Sequence, residues 1–125
     1  ISFQMQLGDL SAFPLSDEEL IVVLSNLLDN AFNACMAVSS FEERKVLLKM
    51  RTEEAAGFLY LENRTAHDVE ILDNKIVAPK NKSIEHGYGL KNVTAILENI
   101  NALYVFDYNS PKHLFSFSAQ FPISR

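Results

Sequence analysis

Asn26, Asp29, Asn30 and Asn33 are spaced so that an α-helix would carry them on one face. A helix turned toward water ordinarily shows Lys and Glu there. Asn is a poor helix former, because its short amide competes for the backbone. Three of them on one face point to binding. Amide and carboxylate oxygens are the ligands that hard cations such as Mg2+ take. Mg2+ uses only one or two protein ligands when substrate phosphates supply others, so one Asn facing a polar pocket suffices. The plainer alternative is a solvated face, or an amide network that satisfies nearby backbone.

A second constellation lies far along the chain. Gly87 and Gly89 flank Tyr88 immediately before a predicted helix that opens at Leu90. Glycines let backbone approach a ligand closely, and the free N–H groups of a helix start attract phosphate. Lys91 and the preceding lysines Lys75, Lys80 and Lys82 add positive charge. Alone the glycine pair is also consistent with a tight turn. Its weight comes from combination with the asparagine face.

The elements that must position these groups follow from periodicity. Ile1, Phe3, Met5 and Leu7 alternate with Ser2, Gln4 and Gln6, which predicts a half-buried strand. Ser16 and Glu19 form a capping box, with Asp17 and Glu18 in a first turn that favours acids. The helix they open runs to about Ser39 or Ser40. It buries Leu20, Val23, Leu24, Leu27, Leu28, Ala31, Ala34 and Cys35. Val46, Leu48 and Met50 mark a second strand, residues 53–57 a hairpin turn, and residues 58–63 a third strand ending at Asn63. Residues 64–86 lack clean periodicity, and so long a connection in a compact domain is read as a functional lid. A second helix buries Val93, Ile96, Leu97 and Ile100, and strands over 103–108 and 114–121 close the chain. Hairpin strands with helices grouped on one face predict an α+β, two-layer α/β sandwich with a mixed, mostly antiparallel sheet.

Composition bounds the partners. A chain of 125 residues, nearly half of them apolar, makes one domain with a real core over 1–125. A net charge of −5 argues against nucleic acid, which would want a basic face. No apolar run is long enough to span a bilayer. Cys35 has no partner for an internal disulfide and reads as a small buried hydrophobe in a reducing, cytoplasmic setting. The chain is read as a domain excised from a larger protein.

Asn26-Leu27-Leu28-Asp29-Asn30-Ala31 resembles the N box of the Bergerat-fold (GHKL) ATPase superfamily, the group of gyrase, Hsp90, histidine kinases and mismatch-repair ATPases. Gly87-Tyr88-Gly89-Leu90-Lys91-Asn92-Val93 resembles that superfamily's second glycine box. The wording is most similar to the catalytic ATP-binding domain of sensor histidine kinases, of the peptide-pheromone and citrate-sensor type. The likeness covers nearly the whole chain.

The resemblance implies a Bergerat fold and ATP with Mg2+ as cofactors. It makes Asn30 the Mg2+ ligand, Asn26 and Asn33 supports of the phosphate region, and Asp29 a structural residue of the helix. Gly87, Tyr88, Gly89, Leu90 and Lys91 would belong to the ATP site, with the lid closing over the triphosphate. At the first glycine box, where an Asp ordinarily takes the adenine amino group, this chain has Asn63 with no glycine after it. Asn63 still offers an amide oxygen to an amino donor, and Asn is common there in the pheromone-receptor type. Hydrolysing members carry a Glu as water-activating base where this chain has Asn26, and an amide is no base at neutral pH. The expectation is therefore a protein histidine kinase domain in two-component signalling. It would present ATP to a histidine on a dimerisation domain of the same protein, with a response regulator downstream and a homodimeric, membrane-anchored parent. His67, His86 and His113 lack the setting of a phosphoacceptor. Two other readings stand beside it: a degenerate docking module without nucleotide, and a serine kinase of the anti-sigma-factor type.

Overall fold

The computed structural model describes residues 1–77 and 85–123, with backbone alone over 85–89. The expected order of elements holds. β1 (Ser2–Leu7) leads through α1 (Asp17–Met36) and the short 3-10 turn Phe41–Glu43 to β2 (Lys45–Glu53) and β3 (Ala56–Arg64). A small hairpin, β4 (Glu70–Leu72) and β5 (Lys75–Val77), precedes α2 (Glu85–Asn99), β6 (Leu103–Asn109) and β7 (Leu114–Pro122). The main sheet runs β1-β2-β3-β7-β6. β1 and β2 are parallel, which requires a crossover, and α1 supplies it. Every other pair in the main sheet is antiparallel. The fold is the mixed two-layer sandwich that the sequence predicts.

Alternation along the strands decides what faces the helices. Val46, Leu48, Met50, Leu59, Leu61, Phe106, Phe115, Phe117 and Phe121 point to one side and are buried. Val23, Leu27, Ala31 and Cys35 of α1 recur every four residues and close over them, joined by Val93 and Leu97 of α2. The other face is open. There Lys49 lies over the Tyr60 ring and Arg51 over Phe58, each pair directly opposed across β2 and β3.

The capping box forms as expected. Glu19 N–H donates to Ser16 Oγ at 3.1 Å, and Ser16 N–H donates to Glu19 Oε1 at 2.9 Å. Four local expectations are corrected. α1 stops at Met36 rather than near Ser40; Val38 is buried as the chain leaves the helix, and its carbonyl takes an Arg44 Nε–H bond at 2.9 Å. Gly57 belongs to β3, not to a turn, and Pro14 crosses so close that a Cβ there would meet its Cδ at 2.5 Å. α2 opens at Glu85, so Leu90 stands in its second turn and Gly87 and Gly89 lie inside the helix. Packing of Val93 and Leu97 outweighs the roughly 1 kcal/mol by which each glycine disfavours a helix. β1 is a strand but not half-buried: as the outermost strand it leaves all six residues exposed.

Candidate functional site

Helix α1 has three faces. Its sheet-facing stripe is flanked on one side by Phe32, whose ring meets Phe3 of β1 edge-on with centroids 5.3 Å apart. The other flank carries Asn26, Asn30 and Asn33, which therefore look away from β1. Asn26 turns its amide nitrogen back to the Val22 carbonyl at 2.8 Å, which frees its oxygen to face outward. Asn30 is half-buried and, among the described residues, makes no side-chain hydrogen bond, so both ends of its amide are available. Asn33 and Asp29 are exposed.

Asn63 comes to the same side of the sheet by strand parity. It follows Leu59 and Leu61 on the helix-facing side of β3 and is only 2 % exposed. Its Nδ2 donates to the Arg64 carbonyl at 3.1 Å. That single bond orients the amide and leaves Oδ1 as an acceptor among the described residues. The side chain is buried but its Oδ1 is not sealed off: among the described residues the fully enclosed side-chain atom without a partner is Thr52 Oγ1, so the Asn63 oxygen keeps access to solvent and can take an incoming donor. MgATP fits this donor set in kind: an amide acceptor suits an amino group, and amide oxygens suit Mg2+.

The glycine box is only partly visible. The backbone of Gly87, Tyr88 and Gly89 lies in the opening turns of α2, while the side chain of Tyr88 lies outside the described residues. The free amides of the helix start are thus moved from the Leu90 region to its new beginning at Glu85. Leu90 is half-buried against the core and Lys91 is exposed. Of the segment expected as a lid, 78–84 lie outside the described residues, as do Lys80 and Lys82, but 70–77 are the β4–β5 hairpin. Lys75 sits in β5 and is exposed.

One cluster escaped the sequence. Just past Asn63, the Thr65 hydroxyl lies 3.1 Å from Tyr108 Oη, and Tyr108 Oη donates to Asp68 Oδ1 at 3.1 Å. Ser110 Oγ donates to the same carboxylate oxygen at 3.2 Å, and His113 Nδ1 lies 3.8 Å from it. These bonds tie the first residues beyond β3 to the β6–β7 turn. Burial and the Asp68 charge raise the Tyr108 phenol above its ordinary pKa. Forty or more positions along the chain separate the partners, and no local pattern announces the contact. His67 and His113 are exposed loop residues, as expected; the His86 side chain lies outside the described residues.

Two shallow hollows of about 280 and 220 Å3 lie on the open face between β1 and β2, lined by Gln6, Lys49 and Arg51 and by Gln4, Lys45 and Glu62. Both are on the side of the sheet away from the asparagines. Among the described residues, no group of His, Cys, Asp and Glu is arranged to hold a metal ion, and no helix is long and apolar enough to cross a membrane.

The chain's backbone is similar to that of the catalytic domain of histidine kinase ThkA, with a TM-score of 0.71, 14 % identity and coverage of 97 % of this chain and 79 % of that one. It is similar to the Acinetobacter baumannii histidine kinase AdeS, with a TM-score of 0.60, 15 % identity and coverage of 99 % and 55 %. It also resembles the Erythrobacter litoralis blue-light activated histidine kinase EL346, with a TM-score of 0.58, 12 % identity and coverage of 98 % and 35 %. A search among curated proteins gives no match. These likenesses show a shared fold, and the GHKL domain family matches residues 15–120. That stretch holds the capping box, the asparagine helix, Asn63 and α2, and by it the chain belongs to the GHKL domain family.

Proposed function

We propose that this chain is the ATP-binding catalytic domain of a sensor histidine kinase. The observation that carries the reading is Asn63, a buried amide whose nitrogen is tied down and whose oxygen is left to accept, on the same side of the sheet as the amide flank of α1. The Asn63 oxygen would take the adenine amino group. Asn30 would hold Mg2+, with Asn26 and Asn33 supporting the phosphate region and Gly87, Tyr88, Gly89, Leu90 and Lys91 lining it. Mg2+ would neutralise phosphate charge when bound, and the chain's own residues bind and orient the nucleotide. Residues 64–86 would act as the lid, now with a fixed hairpin at 70–77.

The acceptor would be a histidine imidazole on the dimerisation domain of the same protein. A nitrogen–phosphorus bond forms, the bond from the γ-phosphorus to its bridging oxygen breaks, and ADP leaves. Asn26 in the position of the hydrolytic base supports presentation of ATP over hydrolysis, since an amide removes no proton from water at neutral pH. The peptide-pheromone and citrate-sensor subtype rests on the wording of the two boxes and on Asn63 in place of Asp. A response regulator downstream and a homodimeric, membrane-anchored parent with this domain in the cytoplasm belong to the same proposal.

Calorimetric titration with a non-hydrolysable ATP analogue, with and without Mg2+, tests the reading. Binding that requires Mg2+ in the parent chain and is lost in Asn30→Ala with the fold intact is the expected result. Unchanged binding by Asn30→Ala overturns the assigned role. A folded parent chain that binds nothing at millimolar analogue favours the docking-module alternative, whose support is the missing glycine after Asn63.

A further inference from the structure

The two edges of the main sheet are treated differently. The β6 edge is covered: Asn74, at the tip of the β4–β5 hairpin, donates to the Tyr104 carbonyl at 2.7 Å and accepts from the Phe106 N–H at 2.7 Å. The β1 edge has no such cover among the described residues. Natural edge strands carry charge, proline or a bulge to prevent pairing with other chains. Ser2–Leu7 has none of these.

Backbone parity shows what this edge offers. Ser2 N–H donates to the Arg44 carbonyl and Gly8 N–H to the Met50 carbonyl, each at 2.8 Å. Even-numbered residues therefore turn their main-chain groups to β2, and Phe3, Met5 and Leu7 turn theirs outward. Their side chains rise on the helix side, where Phe3 meets Phe32. Met5 is 58 % and Leu7 52 % exposed, and on the same flank of α1 Ile21 is 66 % and Met36 55 % exposed. Patches of this kind on a soluble domain mark interaction surfaces.

The sequence of the edge points to its occupant. Phe3-Gln4-Met5-Gln6-Leu7 reads nearly the same in both directions about Met5. We infer that β1 pairs antiparallel with β1 of a second copy of this chain, about a two-fold axis through Met5. In that register Met5 opposes Met5, and Phe3 opposes Leu7 twice over. Each pair exchanges both of its outward main-chain hydrogen bonds. Gln4 opposes Gln6 on the open face, where two amides each donate and accept. The axis stands perpendicular to the sheet, so both α1 helices lie on one side with their Ile21–Met36 flanks toward the seam. No charged side chain in either strand opposes the pairing. The seam and the asparagine flank are on opposite sides of α1, so this pairing does not depend on nucleotide binding.

The interface is small, so association is weak and follows concentration. Sedimentation equilibrium from micromolar to millimolar chain is expected to move the mass from 14.1 kDa toward its double. Met5→Lys, which puts like charges in direct opposition, weakens the association at least about tenfold. Register is read separately by disulfides. Opposed residues outside the hydrogen-bonded pairs lie about 4.5 Å apart at Cα, within disulfide reach. Gln4→Cys mixed with Gln6→Cys therefore crosslinks under mild oxidation and neither does alone, while Cys35 is buried and stays out. A chain that remains at single mass at every concentration overturns the inference. So does dimerisation undiminished in Met5→Lys, or crosslinking of either single variant alone. A monomer whose Phe3, Met5 and Leu7 amides gain protection only from an added foreign peptide assigns the edge to another protein, which also overturns it.

Discussion

At the scale of single residues, polar groups on the two faces of the sheet meet different surroundings. Asn63 is buried on the helix-facing side with its oxygen left to accept, whereas Tyr60, on the open face, spends its hydroxyl on Glu62 at 2.9 Å. Partial burial, then the bond to Glu62 and its negative charge, push the Tyr60 phenol up to about 12. The neutral phenol is thus the form the fold prefers. Its contribution to stability is fully present below the ordinary tyrosine range near pH 10 and is lost as pH rises toward about 12. Tyr60→Phe removes a group that must ionise, so its denaturation midpoint should fall less steeply with pH across that window than the parent's. A parent and variant with parallel profiles would show that Tyr60 ionises as freely folded as unfolded. Tyr104 and Tyr108 are raised too and contribute to both profiles alike. The asparagine flank was legible from sequence because a helix has one strong period, and three amides at its spacing stand out against the residues solvent would select. That Asn63 would be buried was not legible, since burial depends on which strand lies in the middle of the sheet.

At the scale of elements, the β4–β5 hairpin shows what a small tertiary contact does and why sequence hides it. Its turn residues Asp73 and Asn74 both have positive φ, 50° and 58°, which suits a two-residue hairpin turn. Asn74 then uses both ends of its amide on the β6 edge. Asn74→Gly keeps the turn conformation and removes the amide. It should cost about 1–3 kcal/mol, the range for leaving part-buried backbone groups unpaired. Hydrogen exchange at the Phe106 amide reads it directly: faster exchange in the variant is expected, and an unchanged rate would mean that Asn74 does not hold this edge. Three-residue strands are too short to display a period of two, and without a glycine the Asp73-Asn74 turn lacks its usual advertisement, so the stretch looked structureless. Gly57 and the Gly87–Gly89 pair misled in the opposite sense. Glycine reads as a breaker, but at Gly57 it admits the Pro14 ring, and in α2 tertiary packing carries the helix across it. The major strands and both helices were legible because each is long enough to show its period, and the capping box fixed one boundary to the residue. The exposure of β1 was not, because alternation reports a two-sided strand and says nothing of whether anything covers it.

At the scale of the whole molecule, the shared core makes nucleotide binding a stability measurement. Val23, Leu27 and Ala31 on one stripe of α1 are packed into the same cluster as Leu59, Leu61 and the phenylalanines of β7, and the amides are on the adjoining flank of that helix. Unfolding the core therefore dismantles the proposed site, and a ligand held by the native state alone stabilises the whole domain. At a free ligand concentration of 100 times its dissociation constant, that is about 2.7 kcal/mol. For a domain of this length each kcal/mol raises the melting temperature by about 3–4 °C, so a rise of about 10 °C is expected with saturating ATP analogue and Mg2+. The rise should be absent in Asn30→Ala. It should persist in Met5→Lys at concentrations where the parent is monomeric, because Met5 is on the far side of α1 from the amides. A rise of equal size in parent and Asn30→Ala would mean that the nucleotide binds elsewhere. Loss of the rise in Met5→Lys would mean that the two flanks of α1 are coupled through the core they share. The comparison of the three chains thus separates the site from the seam by one observable, through the element they share.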